Sequence, residues 1–333
     1  VGHGWFSRQG READWVTNNA KLLLEPAIGT YANNITKYFF ATRPAFLLAA
    51  LAACLLGLAS AKLGGVNLKM AFAVATILLA LVVHAAVNVL NDYFDALSSA
   101  DAFNTERVYP FTGGSRFIQN GLFTPQQTAR FGYGLLLVAM LGGLWLVAEV
   151  GKGLLLIGGV GLFIGWAYSA TPLSLNSRGL GEVCVLLGFL GVVIGADFVQ
   201  RISFSWQPVF VGFPYALLVT NLLFINQFPD YKADKLAGKH HWVVRLPLTT
   251  AANIYPILVL LACVWLLAMA LLQRLPAMTL WSALPLLFAL RAAWLLQQHY
   301  AEPAKLRPAI QLTLLAMLGH ALLLTLLLFW NAR

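Results

Sequence analysis

An apolar run of about 20 residues is what a helix needs to cross the hydrocarbon core of a bilayer. This chain of 333 residues repeats such a run along most of its length. Nine stretches qualify: 44–62, 69–91, 129–149, 153–170, 180–200, 208–228, 250–272, 277–297 and 309–330, the fourth and fifth interrupted by glycine. A soluble domain has no use for so many, and none is evident. The expected fold is all-α, a polytopic membrane protein of about nine transmembrane helices. Residues 44–333 make up its transmembrane domain, and residues 1–43 an N-terminal cytoplasmic or interfacial segment. The first part of that segment is too polar for a signal peptide. The chain begins with Val1 rather than Met, so Gly2-His3-Gly4 reads as a processed or appended end. Further on, Trp15, Leu22, Leu23, Leu24, Tyr38, Phe39 and Phe40 mix with Lys21 and Lys37, a pattern that fits an interfacial helix or a loosely ordered arm. Arg43-Pro44 opens the first span with proline at a favourable first helical position.

The formal net charge of +9 raises the question of nucleic acid. The 22 Lys and Arg are spread over loops instead of one domain, and the positive-inside rule explains them better. With a cytoplasmic N-terminus, most fall in the N-terminal segment and the loops after spans two, four, six and eight. The charge is therefore no sign of a nucleic acid partner. The chain is expected in contact with membrane lipid, in a bacterial inner (plasma) membrane. Cys54, Cys184 and Cys263 lie inside spans, show no CxxC or metal-ligand spacing, and read as small packing residues.

Charged residues are only 11% of the chain, yet five of its 13 acidic residues gather in two short stretches. The first is Asn88-Val-Leu-Asn91-Asp92-Tyr-Phe-Asp95, followed by Asp101; the second is Asn226-Gln-Phe-Pro-Asp230-Tyr-Lys-Ala-Asp234. Each follows a long apolar run. An Asp at membrane depth costs about 2.5–3.5 kcal/mol on insertion scales, so several together call for a compensating cation or a water-filled cavity. The same interval separates Asn88 from Asn226 and Asp92 from Asp230, with four spans between them. An old duplication, two half-bundles facing one cavity, and coincidence all fit that spacing. Four spans also put both clusters on one side of the membrane, which the charge bias makes the cytoplasmic side.

On a helix, Asn88, Asp92 and Asp95 share one face, and Asn226, Asp230 and Asp234 nearly do. Pro229 is expected to disturb the second helix. Facing each other, the two stretches offer carboxylate and amide oxygens, hard donors that suit Mg²⁺ rather than zinc. Mg²⁺ takes one or two carboxylates and shares its remaining shell with water and substrate phosphate. A carboxylate-rich cavity at a membrane interface thus points to a phosphate-bearing lipid. Arg107, Arg116, Lys232 and Lys239 lie close in sequence and could grip diphosphate oxygens. Diphosphate leaving an allylic lipid tail produces a carbocation, which Tyr93, Phe94, Trp166 and Tyr168 could wall by cation–π contact. The loops 96–128 and 229–249 could cap the mouth. Plainer roles stand beside these. Arg107 and Arg116 could be topology anchors; Lys235 and His240-His241 read as solvated loop residues; His84 and His320 as packed mid-span residues. Glu182 either lines the cavity or favours a helix N-terminus, and Asp197 faces the opposite interface.

The paired motifs resemble those of the UbiA superfamily of intramembrane prenyltransferases, from about Arg43 to the last span. The first stretch matches that family's N-D-x-x-D with a further Asp; the second matches its D-x-x-x-D, continued here to Gly238-Lys239. The resemblance implies nine helices around a central cavity, Mg²⁺ bridging the Asp motifs to a prenyl diphosphate, and a lateral opening for the tail. Within the superfamily the chain looks most like the 1,4-dihydroxy-2-naphthoate polyprenyltransferases of menaquinone synthesis. Asn91-Asp92-Tyr93-Phe94-Asp95 with Asp101, Thr112-Gly-Gly-Ser115-Arg116 leading to Gln119-Asn-Gly121, Tyr168-Ser-Ala-Thr-Pro172 and Gly179-Leu-Gly181-Glu182 carry that likeness. The chain departs from the pattern at Phe228-Pro229-Asp230, where the family often has Arg before Asp. His240-His241-Trp-Val-Val also replaces the usual Thr-Leu-Ala-Val. These departures bear on the acceptor more than on the reaction.

The resulting expectation is Mg²⁺-dependent transfer of a polyprenyl group from its diphosphate to an aromatic acceptor. Asp92, Asp95, Asp230 and Asp234 would bind metal and diphosphate, with Asn88, Asn91, Asn226 and Asp101 supporting them. Arg107, Arg116, Lys232 and Lys239 would hold phosphate oxygens, Arg43 would pair with the acceptor or the diphosphate, and Tyr168 would shield the cation. One alternative keeps the donor but changes the acceptor to another quinone precursor, a porphyrin-type ring or a lipid alcohol. Another is a cation-coupled transporter, which would put its carboxylates near span centres; here they sit at span ends beside basic loops.

Overall fold

The computed structural model describes residues 25–332, so the Trp15 and Lys21 to Leu24 portion of the expected interfacial helix lies outside the described residues. Within them, helix α1 (Asn34–Ala41) starts where the Asn33 side chain accepts from the Thr36 amide at 2.9 Å. The chain then reverses through Arg43, in the left-handed region at φ 57, and Pro44 opens α2 (Pro44–Leu63). Long α3 (Met70–Leu97) and short α4 (Ala100–Phe103) follow. A loop to Thr124 ends in a capping box with Gln127 that opens α5 (Pro125–Val150). Next come α6 (Gly153–Ser169), α7 (Gly181–Arg201) and α8 (Gln207–Leu236). Short α9 (Trp242–Arg245) leads to α10 (Leu248–Leu271), α11 (Leu286–His299) and α12 (Arg307–Asn331).

Eight of the described helical segments are long and apolar enough to cross a membrane, the seventh being 277–299, where a 3₁₀ turn runs into α11. The remaining expected span, the fourth, is α6, 17 residues long and apolar up to Tyr168-Ser169. Each expected span coincides with one of these segments.

Lipid tails are as apolar as leucine, so close packing and buried hydrogen bonds, rather than hydrophobic transfer, hold such helices together. The α8 helix is the spine and packs on α2, α7, α10 and α12. Its Tyr215, Phe224 and Phe228 are almost wholly buried, and the Tyr215 hydroxyl donates to the Ala49 carbonyl of α2 at 2.8 Å. Where α2 meets α7, a Cβ on Gly57 would run into the Val193 carbonyl and Ala196, so only glycine allows that approach. Pro214 and Pro229 both sit inside α8 without ending it. The helix runs on through Pro229 instead of breaking there, with neighbours packed on several sides of it.

Helices α2, α3 and α5 to α8 surround a cavity of about 640 Å³. Among the described residues, none of its lining comes from α10, α11 or α12; α10 packs on α8, α12 on α2 and α8, and α11 lies behind them against α10 and α12. Exposed Leu137, Leu141, Trp145, Leu156 and Phe163 give α5 and α6 an apolar outer face. The cavity is apolar along α5 to α7 and polar at one end, where the C-termini of α3 and α8 converge.

Candidate active site

At that polar end the two acidic stretches meet. Lys239 ties them: its Nζ lies 3.0 Å from Asp95 Oδ1 on α3 and 3.0 Å from Asp234 Oδ1 on α8. Local sequence produces this contact. Helix α8 ends at Leu236, Gly238 takes the left-handed conformation at φ 75 that lets the chain reverse, and the Lys239 amide bonds back to the Asp234 carbonyl at 2.9 Å. Burial works against the charge on Lys239, but Asp95 and Asp234 outweigh it and hold the ammonium well above the usual lysine range. The same reversal brings His241, also buried, to within 3.0 Å of Asp234 Oδ2 through Nε2.

Asp92 sits one turn deeper on α3, where it is buried and accepts from the Ser115 amide at 3.2 Å. That amide belongs to the turn Gly113-Gly114, both residues at positive φ. A Cβ on Gly114 would fall 2.5 Å from Asp101 Oδ2 and 3.0 Å from Asp92 Oδ1, so only glycine lets the loop backbone pack this close to the two carboxylates. Asp101, on α4, is buried; burial first, then Asp95 and Asp92, push its carboxyl up to about 8. Asp230 accepts from Asn104 Nδ2 at 2.6 Å. Asn91 donates to Asp95 at 3.1 Å and to Ser169 Oγ at 3.1 Å, and Asn88 donates to the Thr42 carbonyl at 3.0 Å.

Oxygen donors dominate this end, a set that could hold Mg²⁺. Among the described residues no three His, Cys, Asp or Glu side chains stand close enough to cage an ion. A divalent cation would therefore take one or two carboxylates at a time and complete its shell with other oxygens. The ammonium of Lys239 already occupies such a position between the motifs.

A family model described as the UbiA prenyltransferase family matches residues 50–315. The chain belongs to the UbiA prenyltransferase family. It is 26% identical over 234 residues to 1,4-dihydroxy-2-naphthoate octaprenyltransferase of Bacillus subtilis, covering 69% of this chain and 72% of that one. It is 30% identical over 177 residues to 2-carboxy-1,4-naphthoquinone phytyltransferase of Synechocystis, covering 51% of this chain and 53% of that one. The match thus spans about half the length of the cyanobacterial relative. A solved UbiA homolog from Archaeoglobus fulgidus, bound to DMAPP and Mg²⁺, superposes with a TM-score of 0.60 at 16% identity, covering 86% of this chain and 99% of that one. At that identity the likeness speaks for the fold.

In this UbiA-family chain the structure sorts the sequence candidates. Arg43, Asn88, Asn91, Asp95, Asp101, Asn226, Asp230, Asp234, Lys239 and Tyr168 all line the cavity. The Arg43 guanidinium stacks on Phe46 at 4.4 Å and donates to the Phe111 carbonyl at 3.3 Å, and among the described residues its Nε has no hydrogen-bond partner. Three basic candidates point elsewhere. Arg107 pairs with Glu25 at 2.5 Å, and Arg116 is buried with Nη1 on the Asp101 carbonyl at 2.6 Å. Lys232 is exposed and pairs with Glu106 at 2.6 Å. Of the proposed aromatic wall only Tyr168 lines the cavity. Tyr93 and Phe94 lie off the face that carries Asn91 and Asp95, and Trp166 lines a shallow apolar recess with Tyr133 and Phe163 on the outer side of α5 and α6.

His241 corrects the expectation of a solvated pair: it is buried against Asp234. Asn104 and Glu25 were not anticipated either, because loop closure brings them to Asp230 and Arg107. For His241 a signal existed: Gly238 just past the helix end marks a chain reversal.

Proposed function

We propose that this chain transfers a polyprenyl group from its diphosphate to an aromatic acceptor, 1,4-dihydroxy-2-naphthoate, with Mg²⁺ as cofactor. The observation that carries this reading is Lys239 bridging Asp95 and Asp234, which joins two carboxylate motifs at the mouth of an otherwise apolar cavity. A diphosphate head and a long apolar tail match those two regions. The names of the Bacillus and cyanobacterial relatives favour a naphthoate over other aromatic acceptors.

Asp92, Asp95, Asp230 and Asp234 would hold the metal, with Asp101 beside them. A divalent cation bound there would neutralise charge as it builds on the departing diphosphate. Lys239 would move its hydrogen bonds from carboxylate to diphosphate oxygens. The bond between the allylic carbon and the diphosphate oxygen breaks with its electron pair going to oxygen. The apolar walls of α5 to α7 keep water from the resulting cation, and Tyr168 offers it a ring face. The ring carbon bearing the carboxylate supplies the electron pair for the new bond, and the carboxylate departs as carbon dioxide. Arg43, which lines the cavity, would pair with an anionic group of the acceptor or the diphosphate. The basic loops argue for a mouth on the cytoplasmic side of a bacterial inner membrane.

Purified protein incubated with Mg²⁺, a long-chain prenyl diphosphate and a panel of acceptors tests the proposal by mass spectrometry. The expected product is a prenylated naphthoquinol that has lost carbon dioxide. Prenylation of a different acceptor would keep the reaction and overturn the naphthoate. No product and no diphosphate release would move weight to a cation-coupled transporter.

A further inference from the structure

Two histidines stand at mid-span, His84 on α3 and His320 on α12, and sequence alone treats them alike. The structure separates them. His320 is wholly buried away from the cavity, and its Nδ1 donates to the Ser282 carbonyl at 2.8 Å. His84 is half-buried and lines the cavity, in the row Thr76, Ala80, His84, Asn88, Asn91 and Asp95 that forms the inner face of α3. Its Nδ1 is enclosed without a hydrogen-bond partner among the described residues. Its Nε2 is not enclosed and has no such partner either, so on this inner face it opens to the cavity. In a neutral imidazole one nitrogen carries the proton and the other accepts. A buried N–H without an acceptor is the costlier orphan, which assigns the proton to Nε2.

Depth and surroundings give this donor a task. Asn88 donates to the Thr42 carbonyl, which sets Arg43 near the level of Asn88, and His84 lies one turn further in, about 6 Å of helix rise. Asp92 stands about 12 Å of rise nearer the mouth, so a diphosphate held by the carboxylates does not reach His84. A prenyl tail has no polar atom to offer it. The wall between Arg43 and His84 is aromatic. Phe46 lies under the Arg43 guanidinium at 4.4 Å, the Phe189 ring of α7 stands nearly perpendicular to His84 with centroids 5.4 Å apart, and both phenylalanines line the cavity. A cation, two phenyl rings and an N–H one turn below suit a flat aromatic acid that also carries a ring oxygen.

We propose that His84 donates through Nε2 to a ring oxygen of the aromatic co-substrate, whose carboxylate lies toward Arg43 and whose rings lie against Phe46 and Phe189. This inference rests on the prenyl-transfer reading and deepens it by making His84 a specificity-determining residue. A co-substrate without that oxygen leaves the N–H unanswered in an apolar wall, so the cavity disfavours it. An imidazole that only packs on Phe189 would make no such distinction.

The test compares binding of 1,4-dihydroxy-2-naphthoate with that of 1-hydroxy-2-naphthoate and 4-hydroxy-2-naphthoate to the full chain in detergent, with Mg²⁺ and unreactive geranyl thiolodiphosphate present. Wild type should bind the dihydroxy compound about tenfold more tightly than one of the two monohydroxy acids. His84→Phe, which keeps a ring beside Phe189 but has no N–H, should bring that ratio near one and leave thiolodiphosphate affinity unchanged. His84→Gln, which keeps an N–H at similar reach, should retain part of the preference, a rescue that packing alone would not give. A wild-type ratio in His84→Phe, or no preference in wild type, overturns the inference and leaves the prenyl-transfer reading intact. Should His84→Phe also lose the thiolodiphosphate, His84→Leu is read in its place, and a wild-type ratio there overturns the inference. Failure of wild type to bind any of the three acids while it binds the thiolodiphosphate overturns the inference together with the naphthoate reading.

Discussion

The bundle buries acidic groups at both ends and treats them differently. At the end away from the mouth, Asp197 is 1% exposed and all its oxygens are answered. It accepts from Ser60 Oγ at 2.8 Å, Arg201 Nε at 2.8 Å and Arg201 Nη2 at 2.9 Å, and it does not line the cavity. At the mouth five carboxylates gather, and among the described residues Lys239 is the one lysine or arginine in ion-pair contact with any of them. The others rely on neutral amides from the loop after α4. A buried acid with a full set of partners holds helices together. A group of acids short of counter-charge, four of them lining a cavity while Asp92 lies buried behind them, suits the site for a cation and its ligand proposed above.

The sharpest way to break this contrast is to remove one acid from each end. Asp92→Ala and Asp234→Ala should each lower prenyl-transfer turnover about 10³-fold, whereas Asp197→Ala should keep wild-type turnover per folded molecule. Asp197→Ala should instead destabilise the protein by up to about 3 kcal/mol by leaving the half-buried Arg201 without its carboxylate, read as a lower melting temperature in detergent. Equal turnover losses at the two ends would erase the distinction. Lys239→Gln should weaken donor binding roughly 10- to 100-fold, the range for hydrogen bonds to charged groups, measured as a rise in KM for the prenyl diphosphate. His241→Ala removes one hydrogen bond to Asp234 and should cost about fivefold in donor affinity. Lys232→Ala, which loses an exposed pair with Glu106, should change turnover by less than about twofold.

The sequence disclosed the span positions because length and apolarity leave a membrane chain few choices. It disclosed the acidic motifs because charge is scarce here, so their gathering stands out. It did not disclose which loop residues answer those acids. Asn104 reaches Asp230 and Ser115 reaches Asp92 only after the loop folds over the mouth, and no local pattern encodes such contacts. Nearness in sequence also misled: Arg107, Arg116 and Lys232 lie beside the motifs, yet they brace the loop and the arm preceding α1 through Glu25, the Asp101 carbonyl and Glu106. Tyr93 and Phe94 failed as cavity walls for a simple geometric reason. Two and three residues along a helix from Asn91 turn a side chain off the face that Asn91 shares with Asp95. Pro229 shows the limit of propensity, since the packing of α8 against α2, α7, α10 and α12 overrides the break a proline invites.

The central claim is that the two acidic motifs act as one site. The most direct measurement is calorimetric binding of geranyl thiolodiphosphate to the purified chain, with and without Mg²⁺, in wild type, Asp92→Ala, Asp234→Ala and Asp197→Ala. The account predicts binding that requires Mg²⁺, is lost alike in Asp92→Ala and Asp234→Ala, and survives in Asp197→Ala. Binding that persists at wild-type affinity when either motif loses its carboxylate would contradict it.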